Sequence, residues 1–368
     1  MSINKGDSLT NNPNKRVIVK VKATNAYEML IGGTPTFKGA RWRNYSGLNI
    51  PYTLSGNDGL KEIFAVFRDS AGNVSDTISS KILLDRTPPV IGTVAINEGN
   101  GGTNRQNVTL TLAATGAVKM MLGNTVDFIG GQWEPFKTTR NWVLVGQNGL
   151  KTIFVRFKDA AGNQSKIAFD RIGFDNTAPS EGIVHLNLRK NRKYCTDVNK
   201  YVNLYIRSRG ATKMAISNNA QFDSARWQPY QILVQDWILE GEDGDKTVYV
   251  KFKDNYGNAT KPISASIILD RQEPIDEELI IEDGQPYTTK HKVKLNLAVE
   301  GATQMMVSNR RSFATPAKWE AYKPLKEWVL AGKDGVKTVY AKFRDEAGNK
   351  SFVSSAQILL DTTPPIAG

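Results

Sequence analysis

The residues with the widest chemical repertoire are few in this chain: His185, His291, a single cysteine at Cys195, and carboxylates that recur at regular intervals. A histidine can act as a general base or a metal ligand and a thiol as a nucleophile, but each needs a partner group brought to it. Each histidine stands alone in an alternating apolar and polar stretch, which assigns it to a structural or solvent-facing position. Cys195 has no second cysteine to pair with, so no disulfide holds the chain together. No H-E-x-x-H, G-x-S-x-G, Walker loop or Cys/His zinc spacing occurs. The chain is therefore expected to be non-enzymatic and to need no cofactor.

Two sets of carboxylates repeat. One sits in D-x-x-G-N, at Asp69–Asn73, Asp159–Asn163, Asp254–Asn258 and Asp345–Asn349. The other, Asp85, Asp175, Asp270 and Asp361, precedes a proline-ended stretch. Calcium wants six or more oxygens, and each of these stretches offers one recurrent Asp, so a turn bond is the better reading. A basic run in "LRKNRKYCTDVNKY" makes Arg189, Lys190, Arg192 and Lys193 the candidate partner-binding residues, suited to an acidic protein or a glycan phosphate. The bland alternative is neutralisation by the acidic corner Glu240, Glu242, Asp243 and Asp245.

These residues belong to a repeat. The asparagines of D-x-x-G-N fall at 73, 163, 258 and 349, so the spacings are 90, 95 and 91 residues. Upstream, each copy carries Met and an aliphatic residue, then Trp42, Trp133, Trp227 or Trp319, then Tyr45, Phe136, Tyr230 or Tyr322. A second tryptophan follows at Trp142, Trp237 and Trp328, with Tyr52 in its place in the first copy. All seven tryptophans are thereby used, and they read as a repeated core rather than a dedicated binding site.

Alternation assigns strands throughout and helices nowhere. In "KTVYVKFKD", Val248, Val250 and Phe252 share one face and Thr247, Tyr249, Lys251 and Lys253 the other. The basic outer stripe of this strand, with Arg156, Lys158, Lys342 and Arg344 from its counterparts, reads as a solvated face that discourages edge pairing. Glycine supplies the positive φ of the D-x-x-G-N turn, and proline stops the ladder at each linker. The expectation is all-β: four tandem β-sandwich domains joined by short Pro-containing linkers, at 15–89, 90–179, 180–274 and 275–368. Met1–Asn14 shows no repeat counterpart and is expected to be a disordered tail and candidate anchor. "LLDTTPPIAG" reads as a linker that is either unused or continued.

The net charge of +12 is shared over the copies as +5, +3, +3 and +1, which argues against a dedicated nucleic-acid site. No apolar run is long enough to span a bilayer, and the start lacks a signal-peptide core.

The combination M-x-[IVL]-x-N, W-x-x-[YF], K-T-V-Y-V-x-F-x-D-x-x-G-N-x-S and I-x-L-D-T-T-P-P resembles the bacterial-type immunoglobulin-like, fibronectin-III-like repeat of bacterial surface proteins and bacteriophage virions. The resemblance covers the chain after about residue 14. It implies strand order A-B-C-C′-E-F-G, with D-x-x-G-N beside the incoming linker and the E–F corners Asp58, Asn148, Asp243 and Asp334 at the opposite pole. It implies a semi-rigid rod. In function it implies a structural or adhesive virion component, a fibre, whisker or decoration made in the host cytoplasm. Such a protein would meet capsid, neck or tail proteins through its N-terminal tail and first domain, and would have host-surface glycans as further partners, with self-association left open. The alternative is a bacterial cell-surface adhesin or a carbohydrate-binding stalk.

Overall fold

A computed structural model describes residues 1–187, 193–314 and 316–365. Every sandwich repeats one plan, seen most completely in the second. Its strands are A (Val90–Ile96), A′ (Gly102–Thr103), B (Asn107–Thr115), C (Lys119–Gly123), C′ (Glu134–Pro135), E (Thr139–Val143), F (Gly149–Lys158) and G (Ala168–Phe174). Strands E, B and A form one sheet, and A′, G, F, C and C′ form the other. All pairings are antiparallel except A′ with G, which run parallel with Gly102 opposite Gly173. That short parallel strand lay outside the expected A-B-C-C′-E-F-G order. Among the described residues there is no α-helix, and no helix long and apolar enough to cross a membrane.

The alternation read from strand F closes each core. Ile153, Val155 and Phe157 are buried in the second sandwich, and Val248, Val250 and Phe252 in the third. Tyr45, Phe136, Tyr230 and Tyr322 meet the buried F-strand phenylalanines Phe67, Phe157, Phe252 and Phe343 edge to face, at centroid distances of 5.8, 5.7, 6.2 and 6.0 Å. Edge-to-face contact sets the positive ring edge against the negative ring face.

The tryptophans do something else. None belongs to the buried set of its core. Trp42, Trp133, Trp227 and Trp319 lie on the outer face under Arg68, Lys158, Lys253 and Arg344, with cation-to-centroid distances of 4.5, 4.0, 4.2 and 4.4 Å. The expectation that all seven tryptophans serve the core is corrected for these four, whereas Trp142, Trp237 and Trp328 pack against their cores, and the reading of the basic stripe as merely solvated is corrected too. Arg156, Lys158, Lys251, Lys253 and Arg344 of that stripe are desolvated on one side by aromatic faces, an arrangement available because strand F puts alternate residues on the outer surface. The later tryptophans Trp142, Trp237 and Trp328 half-bury their rings and donate Nε1–H to Asn124, Asn218 and Asn309 at 3.1, 3.1 and 3.0 Å. In the first sandwich Tyr52 replaces that tryptophan and Gly33 stands at the asparagine position. A Cβ on Gly33 would lie 3.1 Å from the Tyr52 hydroxyl, so the hydroxyl fills the room the amide otherwise takes.

The expected N-terminal tail is part of the first sandwich. Ser2–Ile3 pairs with strand B (Arg16–Lys20), placing Ile3 opposite Val19, and Leu9–Thr10 is the A′ strand, parallel to Ile78–Leu84. Ile3 is fully buried. Its repeat counterpart is Ile96, and the match continues: Asn4 Oδ1 accepts the Ile18 N–H at 2.9 Å as Asn97 Oδ1 accepts that of Thr109 at 2.9 Å. Divergent flanking residues hid this equivalence in the sequence. Ile3→Ala should therefore destabilise the first sandwich by about 2–5 kcal/mol in urea unfolding followed by site-resolved hydrogen exchange, while Lys5→Ala leaves it unchanged.

Candidate functional site at the domain joints

The chain divides into two compact units, Met1–Thr177 and Ala178–Gly368, each holding two sandwiches. Within each unit the linker between sandwiches is gripped from both sides.

The first grip comes from the sandwich the linker leaves. Asp58, at the turn before strand F (Gly59–Arg68), accepts the Arg86 backbone N–H at 2.7 Å and its Nε–H at 2.7 Å. Asp243 repeats this with Arg271 at 2.7 and 2.6 Å. Where the linker residue is Thr362, Asp334 takes its N–H and hydroxyl and the Thr363 hydroxyl, at 3.0, 2.7 and 2.7 Å. Asn148 serves in the second sandwich, donating to Asp175 Oδ1 and Thr177 Oγ1.

The second grip comes from the sandwich that follows. In every D-x-x-G-N turn the asparagine N–H and carboxamide bond the aspartate, with Asn163 at 2.8 and 2.9 Å from Asp159. The glycines Gly72, Gly162, Gly257 and Gly348 take φ of 91°, 96°, 94° and 101°, a region a side chain would strain. Asn163 Nδ2 donates as well to the Asp85 carbonyl in the preceding linker at 2.8 Å, and Asn349 to the Asp270 carbonyl at 3.0 Å. One carboxamide with two N–H groups thus closes its own turn and holds its neighbour's linker.

Between these grips the junction aspartates make the turn bonds expected of them. Asp85 Oδ1 accepts the Thr87 N–H at 3.0 Å, Asp270 that of Gln272 at 3.2 Å, and Asp361 that of Thr363 at 3.1 Å. Among the described residues no three His, Cys, Asp or Glu side chains gather as for a metal.

Charge follows the bonds. The Arg86 backbone N–H, then its guanidinium, hold the Asp58 carboxyl below the ordinary carboxylate range. The hydroxyls of Thr362 and Thr363 do the same for Asp334. Burial pushes Asp270 the other way, upward, against the Gln272 N–H.

Of the candidate partner-binding residues, Arg189, Lys190 and Arg192 lie outside the described residues. Lys193 is described, and its Nζ lies 3.2 Å from Glu346 in the D-x-x-G-N turn of the fourth sandwich. Tyr194 donates to the same carboxylate at 2.9 Å. The Lys193 charge is therefore met across a joint, not by the corner Glu240, Glu242, Asp243 and Asp245 proposed to neutralise it. The corner's own partners are Arg271, from Asp243 and Glu242, and Lys200, which donates to the Gly241 carbonyl at 2.8 Å. The remaining chemistry-bearing residues are scattered. Cys195 is a buried core residue whose thiol is pushed up by burial. His185 pairs across its sheet with Tyr205, while His291 Nδ1 lies 3.1 Å from the Leu330 carbonyl in the fourth sandwich.

One recurring feature escaped the sequence reading. Phe37, Phe128, Phe222 and Phe313 all take left-handed φ, of 56°, 54°, 61° and 50°. Such backbone is uncommon for a bulky residue. It turns the ring toward strand F, where Arg156 stands 5.6 Å from the Phe128 centroid and Lys251 4.0 Å from that of Phe222. The signal was a phenylalanine five or six residues before each first tryptophan.

No model of a known protein family matches the sequence, and no curated protein matches it. Among solved structures, similarity extends to the fibronectin(III)-like modules of Clostridium thermocellum CbhA, at 11% identity over 48% of this chain and 94% of that one, with a TM-score of 0.33. It extends also to the FN1–FN3 domains of chicken CNTN1, at 13% identity over 74% of this chain and 99% of that one, with a TM-score of 0.27.

Removing the second grip should be felt at the linker rather than in the core. Asn163→Ala should raise amide exchange at 85–87 and cost the second sandwich about 1 kcal/mol, whereas Asn73→Ala, which removes a carboxamide bonded to Asp69 in the turn of the first sandwich, should leave 85–87 unchanged. For Asp58 the folded carboxyl is depressed, so its contribution is present above the unfolded carboxylate range and disappears as pH falls through the folded value. Asp58→Asn should accordingly flatten the acid-side fall in melting temperature of the first sandwich, read by calorimetry from neutral pH downward.

Proposed function

We propose that this chain is a non-enzymatic structural or adhesive protein whose work is to hold and space what lies at its ends. The observation that carries the reading is the double grip on the linkers. A tandem array that only needed linked domains could leave its linkers loose. Here each linker inside a unit is bonded to the sandwich before it and the sandwich after it, which restricts hinge motion where few contacts would otherwise cross. The chemistry-bearing side chains are dispersed among separate cores and joints, and no catalytic group is assigned.

Within that class the reading is a bacteriophage virion component, a fibre, whisker or decoration, attached to a capsid, neck or tail protein through its first sandwich. Its support is the resemblance of the repeats and four cores that need no disulfide. Host-surface glycans are the further partners of this reading.

Cross-linking mass spectrometry on native particles tests it, with Lys5, Lys15 and Lys20 as reporters of the first sandwich. Links from these lysines to a capsid, neck or tail protein are the expected outcome. Links to cell-envelope components would overturn the virion assignment in favour of a bacterial surface adhesin.

A further inference from the structure

The residue that opens strand C and the residue that closes strand F stand opposite each other on the outside of every sandwich. In the first sandwich they are Glu28 and Arg68, joined as an ion pair. In the fourth they are Gln304 and Arg344, with Arg344 Nε–H donating to Gln304 Oε1 at 2.6 Å. In the second and third they are lysine against lysine, Lys119 opposite Lys158 and Lys213 opposite Lys253. Like charges directly opposed on antiparallel strands repel, because their Cβ atoms stand only about 4.5–5.5 Å apart. The first sandwich shows that the position accepts an attractive pair, so the fold gains nothing from these lysine pairs.

Among the described residues no carboxylate is paired with any of the four lysines. Residues 188–192, 315 and 366–368 include no Asp or Glu. Glu134, the acid on strand C′ of the second sandwich, is engaged by Arg140 at 3.0 Å, and Gln228 takes its place in the third. A further cation stands on each face two residues back along strand F, Arg156 in the second sandwich and Lys251 in the third. The first sandwich has Val66 there, and the fourth has Lys342 beside its neutral glutamine. The rings of Trp133 and Phe128, and of Trp227 and Phe222, hold the F-strand cations of the second and third faces in place. Side chains already held lose less freedom when a ligand arrives. Lys119 and Lys213 are exposed beside them.

We propose that the outer C–F faces of the second and third sandwiches, centred on the opposed pairs Lys119–Lys158 and Lys213–Lys253, bind an acidic polysaccharide through its carboxylates. The proposal rests on the adhesive reading, in which glycans are partners, and gives those glycans a charge and a site. A single-stranded nucleic acid would need open aromatic faces on which to stack its bases, and here the tryptophan faces carry ammonium groups. Three cations on a face also make a small footprint for a duplex. An acidic peptide that added as a strand would need a free sheet edge, whereas C′ and G flank strands C and F on either side. A polysaccharide with repeating carboxylates needs neither feature. It sets successive anions against cations that have no acid of their own, through charge-assisted hydrogen bonds.

Binding of the full chain to immobilised polygalacturonate tests this, with neutral dextran, poly-glutamate and duplex DNA as the comparison surfaces. The chain should be retained on polygalacturonate, should release as salt rises, and should ignore dextran. Lys119→Glu combined with Lys213→Glu installs the ion pair of the first sandwich in the second and third. This variant should melt higher than the unmodified chain and yet bind polygalacturonate several-fold more weakly, which separates loss of the site from loss of the fold. Lys22→Glu combined with Lys290→Glu changes the net charge equally on exposed lysines outside these faces and should leave the affinity nearly unchanged. The proposal is overturned if the two double variants weaken binding equally, if poly-glutamate or duplex DNA is held more tightly than polygalacturonate, or if polygalacturonate is not held at all. Retention on dextran alone would overturn it while leaving the adhesive reading intact, and none of these outcomes bears on attachment through the first sandwich, which the cross-links report.

Discussion

The joints depend on one side chain doing two jobs. The carboxamide of the D-x-x-G-N asparagine has two N–H groups, and in Asn163 and Asn349 one closes the turn on its own aspartate while the other holds the carbonyl of the preceding linker. A leucine or serine could not do both, and an aspartate would offer acceptors where donors are required. The turn must also be rigid for the second bond to be aimed. That rigidity comes from the glycine at positive φ and from the Asp159 N–H, which donates to the Asn163 carbonyl at 3.1 Å. Folding of one sandwich thus prepares the surface that orders the linker of the one before.

The other end of each sandwich contributes through residues that vary in type while keeping a role. Asp58 and Asp243 meet arginine, Asp334 meets threonine, and Asn148 meets Asp175 and Thr177. The corner is an aspartate where the residue after the junction aspartate is Arg86, Arg271 or Thr362, and a neutral amide, Asn148, where that residue is Asn176, whose N–H it accepts at 3.2 Å. The same exchange by function appears inside the sandwiches. Glu282 accepts the Lys294 N–H at 2.6 Å where other copies use Asn4, Asn97 or Asn187. Gly33 with Tyr52 replaces the asparagine and tryptophan of the later copies.

The outer face of strand F shows how alternation can be read correctly and still be assigned the wrong environment. The pattern placed Lys158 and Lys253 outside, where they are. It could not say that Trp133 and Trp227 would lie against them, because the tryptophans arrive from a loop whose path is set by a left-handed phenylalanine. A cation over an indole face is worth roughly 0.5–1 kcal/mol at an exposed site, small singly but repeated in every copy. Aromatic residues that composition counts toward the core are therefore divided, with Tyr45, Phe136, Tyr230 and Tyr322 packed edge-on inside and the first tryptophans outside.

The sequence by itself determined the all-β class, the four-fold repetition, the inward face of strand F and the turn at each D-x-x-G-N. Each of these is written in local periodicity and in residue types with narrow backbone preferences. The dual role of Asn163, the parallel A′ strand, the place of Ile3 in a core and the pairing of Lys193 with Glu346 were decided only by the tertiary structure. They join residues from about 16 to 150 positions apart, and period-two alternation carries no information about which distant edge a strand will meet. The N-terminal segment shows the difference most sharply. Polar neighbours made Met1–Asn14 look like a tail, and only the partner strand Arg16–Lys20 reveals that Ile3 has a core to enter.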